Sequence, residues 1–170
     1  MFNPGSPLQD LLDAPVRPGR LAWIGLRTRR HGPIAEACEA QVTLDDGLVG
    51  DRWAGRPGGK RQVTLIARED VAAVASFVGL ADLPPAVLRR NLMVEGINLM
   101  ALKDRRIAVG EVILEVTDEC HPCSRMEAAL GVGGYNALRG RGGLTTRVIR
   151  GGTIRVGDAV RRLDGADAEG

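Results

Sequence analysis

From Arg20 to Leu163 the chain reads as a succession of short apolar runs, each stopped by a glycine, an acid–glycine pair or a proline. Punctuation this frequent leaves little room for long helices and favours many short strands joined by tight turns. Strands are predicted over Arg20–Leu26, Cys38–Leu44, Gln62–Ile66, Arg106–Val109, Glu111–Thr117, Leu144–Ile149, Thr153–Val156 and Ala159–Leu163. Cys38–Leu44 alternates apolar and polar residues and leads into the hairpin signal Asp46-Gly47. Helices are few. Arg68–Val78 carries early acids and a run of alanines and stops before Gly79, and Pro84–Arg90 reads as a helical turn. Ser124–Leu130 is a third, with Ser124 as N-cap and Glu127 at capping-box spacing. The expected fold class is mainly β, a barrel with a few short helices.

At 170 residues and 44% hydrophobic, the chain suits one domain with a real core. Pro4, Pro7, Pro15 and Pro18 mark residues 1–19 as an irregular arm, 20–163 form the domain, and 164–170 read as a flexible tail. No run of about 18 apolar residues predicts a membrane span, and no basic-then-apolar N-terminus predicts a signal peptide. Three cysteines are too few for a disulfide framework and are easiest to keep in a reducing compartment, so a cytoplasmic protein is expected. The net charge is only +2, but all 23 basic residues except Lys60 and Lys103 are arginines. Acids are interspersed among them and aromatics make up 3%, which argues against a nucleic acid partner.

Two cysteines fall in VTDECHPCSRM, Val116–Met126. A structural zinc site needs four ligands, commonly from two knuckles, and only the distant Cys38 or His31 could join Cys120, His121 and Cys123. A dithiol redox pair suits the CxxC spacing between strand and helix, but only 47 residues follow Cys123, too few for a thioredoxin layout. Burial of both thiols as small apolar groups is a third reading, opposed by the polar neighbours His121, Ser124 and Arg125. The fourth is a single thiolate, favoured by Arg125 and a helix start, offered to a soft metal or an electrophile.

Four segments then matter together: Gly50–Gly55 (GDRWAG), Lys60–Ile66 (KRQVTLI), Arg89–Met93 (RRNLM) with Gly96–Leu99 (GINL), and Val116–Met126. In this order and spacing, over about residues 20–163, the chain resembles the MOSC domain, the module named after the C-terminal part of molybdenum cofactor sulfurase. GDRWAG is close to the family's GDRHxG and RRNL to its RENL. Pro122-Cys123 matches the dipeptide that carries the family's key cysteine. Trp53 stands where histidine is usual, Arg90 where glutamate is common, and Cys120 is an extra thiol.

The resemblance implies a closed β barrel of the stand-alone bacterial type that binds a molybdenum-pterin cofactor (Mo-molybdopterin). Cys123 would be the metal ligand and catalytic residue. Gly50, Asp51, Arg52, Arg61, Gln62, Arg90, Asn91 and Arg125 would be cofactor-binding. It also implies reduction of a small-molecule substrate, an N-hydroxylated or N-oxide compound. The sequence has no flavin or nicotinamide fingerprint and no iron–sulfur cysteine cluster, so an external electron-donor protein is expected. Two alternatives stand beside it: a sulfur-carrier or cofactor-delivery module, and a catalytically silent interaction barrel.

The residue chemistry agrees independently. Molybdenum takes soft sulfur, and a pterin phosphate calls for guanidinium and glycine-loop N–H groups. Arg52, Arg61, Arg90 and Arg125 sit beside motif glycines and strand ends, with ordinary ion pairing as the competing account. Asp51 is expected to tie down its own loop. Asn91 and Asn136 either meet pterin edges or cap turns, and Gly140–Gly143 forms either a phosphate nest or a turn. Cys123, Arg52, Arg61, Arg90 and Asn91 are expected to share one cleft at a barrel mouth.

Overall fold

The computed structural model describes residues 5–53 and 55–164, so Ala54, the first four residues of the arm and the tail from Gly165 lie outside the described residues. Seven strands close on themselves. Their order is β11 (Ala159–Leu163), β7 (Arg106–Val109), β8 (Val112–Glu119), β9 (Leu144–Arg150), β5 (Val63–Ala67), β6 (Leu92–Glu95) and β1 (Gly19–Arg27). The seam back to β11 pairs Gly19 with Val160 and Arg20 with Ala159. On the β6 side of the same residue the approach is close enough to require glycine: a Cβ on Gly19 would lie 2.5 Å from the Glu95 carbonyl oxygen. β2 (Ile34–Ala37) extends the far half of β1, while β3 (Glu39–Thr43), β4 (Gly47–Leu48) and β10 (Gly152–Arg155) form a small separate sheet. The expected closed, mainly β barrel is what the chain forms.

All pairings are antiparallel except β5–β6. Parallel neighbours need a long crossover, supplied here by α2 (Arg68–Phe77) and a 3-10 turn at Pro85–Leu88. Val63, Leu65 and Ala67 of β5 point into the barrel core, whereas Ile66 faces outward into a second cluster with Val74, Met93 and Leu138. That second cluster packs α2, α3 (Ser124–Leu130) and α4 (Gly134–Leu138) against the outer wall, and Met126 pins α3 within it. β5 is therefore buried on both faces and lacks the alternation of a half-exposed strand.

Two elements differ from the sequence expectation. The arm is not wholly irregular: Ser6 caps helix α1 (Pro7–Asp13), accepting from the Gln9 N–H at 3.2 Å, with proline at its first turn. Cys123, not Ser124, stands at the N-cap position of α3, without a side-chain capping bond, and Glu127 does not close a capping box. Its carboxylate instead accepts the N–H groups of Gly133 at 2.8 Å and Tyr135 at 2.7 Å, tying α3 to α4. The last two glycines of the run before β9 are packed against neighbouring backbone. A Cβ on Gly142 would lie 1.9 Å from the Cys120 carbonyl oxygen, and one on Gly143 1.8 Å from that of Leu65.

Candidate functional site

Between the end of β1, the start of β6 and the exit of β8 lies a cleft of about 380 Å³. Arg27, Arg29, Arg30, Arg52, Arg89, Arg90 and Arg125 line it, with His31, Cys123 and Met126, and no acidic side chain is among them. A second cleft of about 330 Å³ shares Arg27, Arg89 and Arg90 and adds Trp53, Arg61, Thr64 and Cys120. Thr64 alternates with the core residues Val63 and Leu65, so the paired clefts lie over the barrel's outer wall, not in its mouth.

The wall beneath them is a closed polar ladder. The Asp51 carboxylate is fully buried and takes three bonds from Arg27: from its backbone N–H at 2.6 Å, from Nε at 3.1 Å and from Nη2 at 2.6 Å. The same Nη2 donates to Asn91 Oδ1 at 3.2 Å, which also accepts from the Thr64 N–H and hydroxyl at 3.1 and 3.0 Å. Asn91 Nδ2 donates to the Gly25 carbonyl, so both ends of the amide are engaged. Gly50, at φ +86°, turns the chain so that Asp51 reaches β1, and the Arg52 N–H donates to the Arg27 carbonyl at 2.7 Å. Asp51 thus ties its loop to β1.

The RRN triplet assigns three tasks to adjacent residues. Arg89 adopts a left-handed backbone, φ +55°, and donates from Nη1 to the Gly32 carbonyl at 2.8 Å. His31, on the wall that Arg89 holds, is left-handed too, at φ +59°. Arg90 is 92% buried, with its guanidinium directed at the carbonyls of Gly142, Leu88 and Cys120 at 2.7, 2.9 and 3.5 Å. No carboxylate compensates it among the described residues. Burial pulls its pKa below the usual arginine value, opposed by the Cys120 and Cys123 sulfurs nearby and reinforced by Arg61 and Arg27. Asn91 completes the ladder.

A register shift between Val116 and Asp118 lets β8 bend as it leaves the sheet. The Cys120 N–H then bonds the Gly143 carbonyl at 2.7 Å. Cys120 is buried, with its Sγ 3.8 Å from Arg61 Nη2, whereas Cys123 is exposed in the first cleft. Among the described residues, no three of His, Cys, Asp and Glu gather where they could hold a metal, so the donors of a zinc knuckle do not converge.

The sequence-predicted residues therefore separate. Arg52, Arg90, Cys123 and Arg125 share the first cleft, and Arg61 meets Arg90 in the second. Gly50, Asp51, Asn91 and Gln62 line neither. Gln62 has no exposed surface and clamps strands, its Oε1 accepting the Val148 N–H at 2.9 Å. Arg27, Arg29, Arg30, His31 and Arg89 were missed. The basic run Arg29-Arg30-His31 at a strand exit was the available signal.

Comparison with protein-family models matches the MOSC domain over residues 37–161. The chain belongs to the MOSC domain family. No curated protein matches it in sequence. Among solved structures it is similar to the YuaD protein of Bacillus subtilis, with TM-score 0.74, 18% identity, and 88% of this chain and 98% of that one covered. YiiM of Geobacillus stearothermophilus superposes with TM-score 0.70 at 12% identity over 86% of this chain and 75% of its own. YiiM of Escherichia coli gives 0.63 at 18% identity over 86% and 71%. At these identities the likeness concerns the fold. Within this MOSC chain, among the described residues, no helix is long and apolar enough to cross a membrane.

Proposed function

We propose that the cleft binds a pterin-type molybdenum cofactor, with the Cys123 thiolate as protein ligand to the metal. Arg52, Arg61, Arg90 and Arg125 hold the cofactor's phosphate. The loaded protein reduces N-hydroxylated or N-oxide compounds with electrons from a separate donor protein. One observation carries the reading: an exposed thiol opens into a cleft lined by seven arginines and no acid. The residues fit such a group, since soft sulfur suits molybdenum and the buried, carbonyl-bound Arg90 lacks a counter-anion. The cofactor supplies the two-electron redox chemistry that cleaving an N–O bond to an amine and water requires. The chain's own part is to fix Cys123 at the start of α3, which Met126 anchors, and to hold the anion on arginines set by the ladder behind them.

The test is molybdenum and pterin content of wild type, Cys123→Ser and Cys120→Ser purified from a cofactor-competent host. Wild type and Cys120→Ser are expected to carry both, and Cys123→Ser to lose the metal. Metal lost only with Cys120→Ser would reverse the ligand assignment. The place of Cys120 beside Arg61 favours one second reading, a sulfur carrier that delivers cofactor or sulfane sulfur without turnover. Reduction of an N-hydroxylated substrate by loaded protein with an artificial electron donor separates the two readings.

A further inference from the structure

We infer that Trp53 makes the second cleft a seat for a planar heterocycle with a hydrogen-bond-accepting edge. The N–O group to be reduced is then carried on such a ring, not on an aliphatic amine. This substrate assignment rests on the reduction proposed above. The first observation is where the aromatic side chains lie. The chain has two tryptophans, two phenylalanines and one tyrosine, and among the described residues Trp53 alone of these lines either cleft. Trp23 is buried in the outer cluster, and Phe77 and Tyr135 are exposed on α2 and α4.

Second, the seat of the ring is constructed. Neither Gly55 nor Gly59 has a left-handed backbone, so the chain path does not itself call for glycine at either. A Cβ on Gly55 would lie 2.2, 2.4 and 2.7 Å from the Cζ2, Cε2 and Nε1 atoms of the Trp53 indole. One on Gly59 would lie 2.7 Å from Cζ2 and 2.9 Å from the Arg56 carbonyl oxygen. The missing side chains let the indole rest directly on this loop, and the half-buried ring leaves its remaining surface to the cleft. A ring already fixed in this way has little freedom left to lose on binding.

Third, the other walls select the edge of the ligand. Arg61, Arg89 and Arg90 carry donors and no acceptor, and no acidic side chain lines the cleft. The Thr64 hydroxyl is engaged both ways, donating to Asn91 Oδ1 and accepting the Asn91 N–H, each at 3.0 Å. A ligand edge facing these groups must accept, through ring nitrogens or exocyclic oxygens, and a cationic amine meets only like charge. The volume of about 330 Å³ falls within the range of small-molecule sites. An aliphatic N-oxide would satisfy the donors but give the indole nothing to stack on.

Calorimetric titration of full-length, cofactor-free protein with three probes separates shape from charge. Quinoline N-oxide is planar, neutral and accepting. Trimethylamine N-oxide keeps the N–O group without the ring, and N-methylquinolinium keeps the ring but is cationic. Quinoline N-oxide is expected to bind roughly ten-fold or more tightly than either, the scale of one stacked ring. Trp53→Leu should erase that advantage, and Trp53→Phe should keep most of it. Phe77→Leu, which removes an exposed aromatic elsewhere, should leave it whole. Gly55→Ala, which pushes the indole off its seat, should weaken binding nearly as much as Trp53→Leu and replaces that variant if it fails to fold. Either comparison probe binding as tightly as quinoline N-oxide, or an unchanged affinity in Trp53→Leu or Gly55→Ala, would overturn the inference. The pterin is itself a planar heterocycle, so the titration is repeated on protein loaded with molybdenum and pterin. Undiminished binding assigns Trp53 to the substrate; binding lost on loading gives it to the pterin and overturns the substrate assignment. Absence of molybdenum and pterin from that protein would sink the proposed function and leave the ring titration standing on its own.

Discussion

Arg27 and Arg90 stand on neighbouring antiparallel segments and face the same two clefts, yet their environments are opposite. Arg27 meets a buried carboxylate with both Nε and Nη2. Arg90 meets three carbonyl oxygens and no carboxylate. The first guanidinium is spent inside the fold, where it fastens β1 to the Gly50–Arg52 loop and to Asn91. The second has no anionic side chain as partner among the described residues. Residue type alone does not separate a structural arginine from a binding one; the charge of its partners does.

The sharpest way to break this contrast is at its paired half. Asp51→Ala strands Arg27 and three donors at once, and should cost about 3 kcal/mol. That is the low end for a broken buried pair, because Arg27 is 24% exposed and can turn to water. Urea unfolding followed by circular dichroism measures it; a loss below about 1 kcal/mol would mean the ladder is not what holds the loop. Asn91→Leu comes next. It leaves the Thr64 N–H and an Arg27 donor unmatched, an expected cost of about 2 kcal/mol by the same assay.

At the unpaired half the expectation inverts. Arg52→Ala and Arg125→Ala, both exposed, should change stability by no more than about 0.5 kcal/mol. Each should lower cofactor retention roughly ten-fold, the scale of one lost charge-assisted contact. Retention equal to wild type would return both to ordinary surface charge. Smallest of all is a pH effect away from the cleft. The N–H groups of Tyr135 and Gly133 hold the Glu127 carboxyl below the usual glutamate range. Its stabilisation is fully present above the unfolded value, about pH 4.3, and is lost as pH falls through the lower folded value. The melting temperature of Glu127→Gln should therefore trail wild type at pH 7 and meet it in strongly acid solution.

Most of the barrel was legible because its strands are short, apolar and separated by glycine, so pattern and punctuation agree. β6 was not: Leu92–Glu95 is four residues long and gains its strand character from distant partners, β5 in parallel across a crossover and β1 antiparallel. Helix α1 carried a readable Ser6-Pro7 start that the surrounding prolines masked. In the site, Cys123, Arg52, Arg61, Arg90 and Arg125 stood out because each neighbours a motif glycine, proline or strand end. Arg27 and Arg89 did not, since one more arginine in an arginine-rich chain says nothing until the fold shows what lies opposite it. Gln62, Asp51 and Asn91 were visible as motif residues, but their work is internal. Sequence spacing does not distinguish a side chain that touches a ligand from one that braces its neighbour.

The seam between β1 and β11 sets the order in which the molecule can assemble. Its two residue pairs join opposite ends of the chain, so closing it costs the most loop entropy for the fewest ladder bonds. The β1–β6 and β5–β6 pairings that support the ladder are complete within the first 95 residues and can form while the ring is still open. A nascent chain can thus form the floor of the arginine-lined cleft before the ring closes, and the seam is expected to be the first contact to open. Amide exchange should record that history, fastest at Gly19 and Arg20 and slowest along β5.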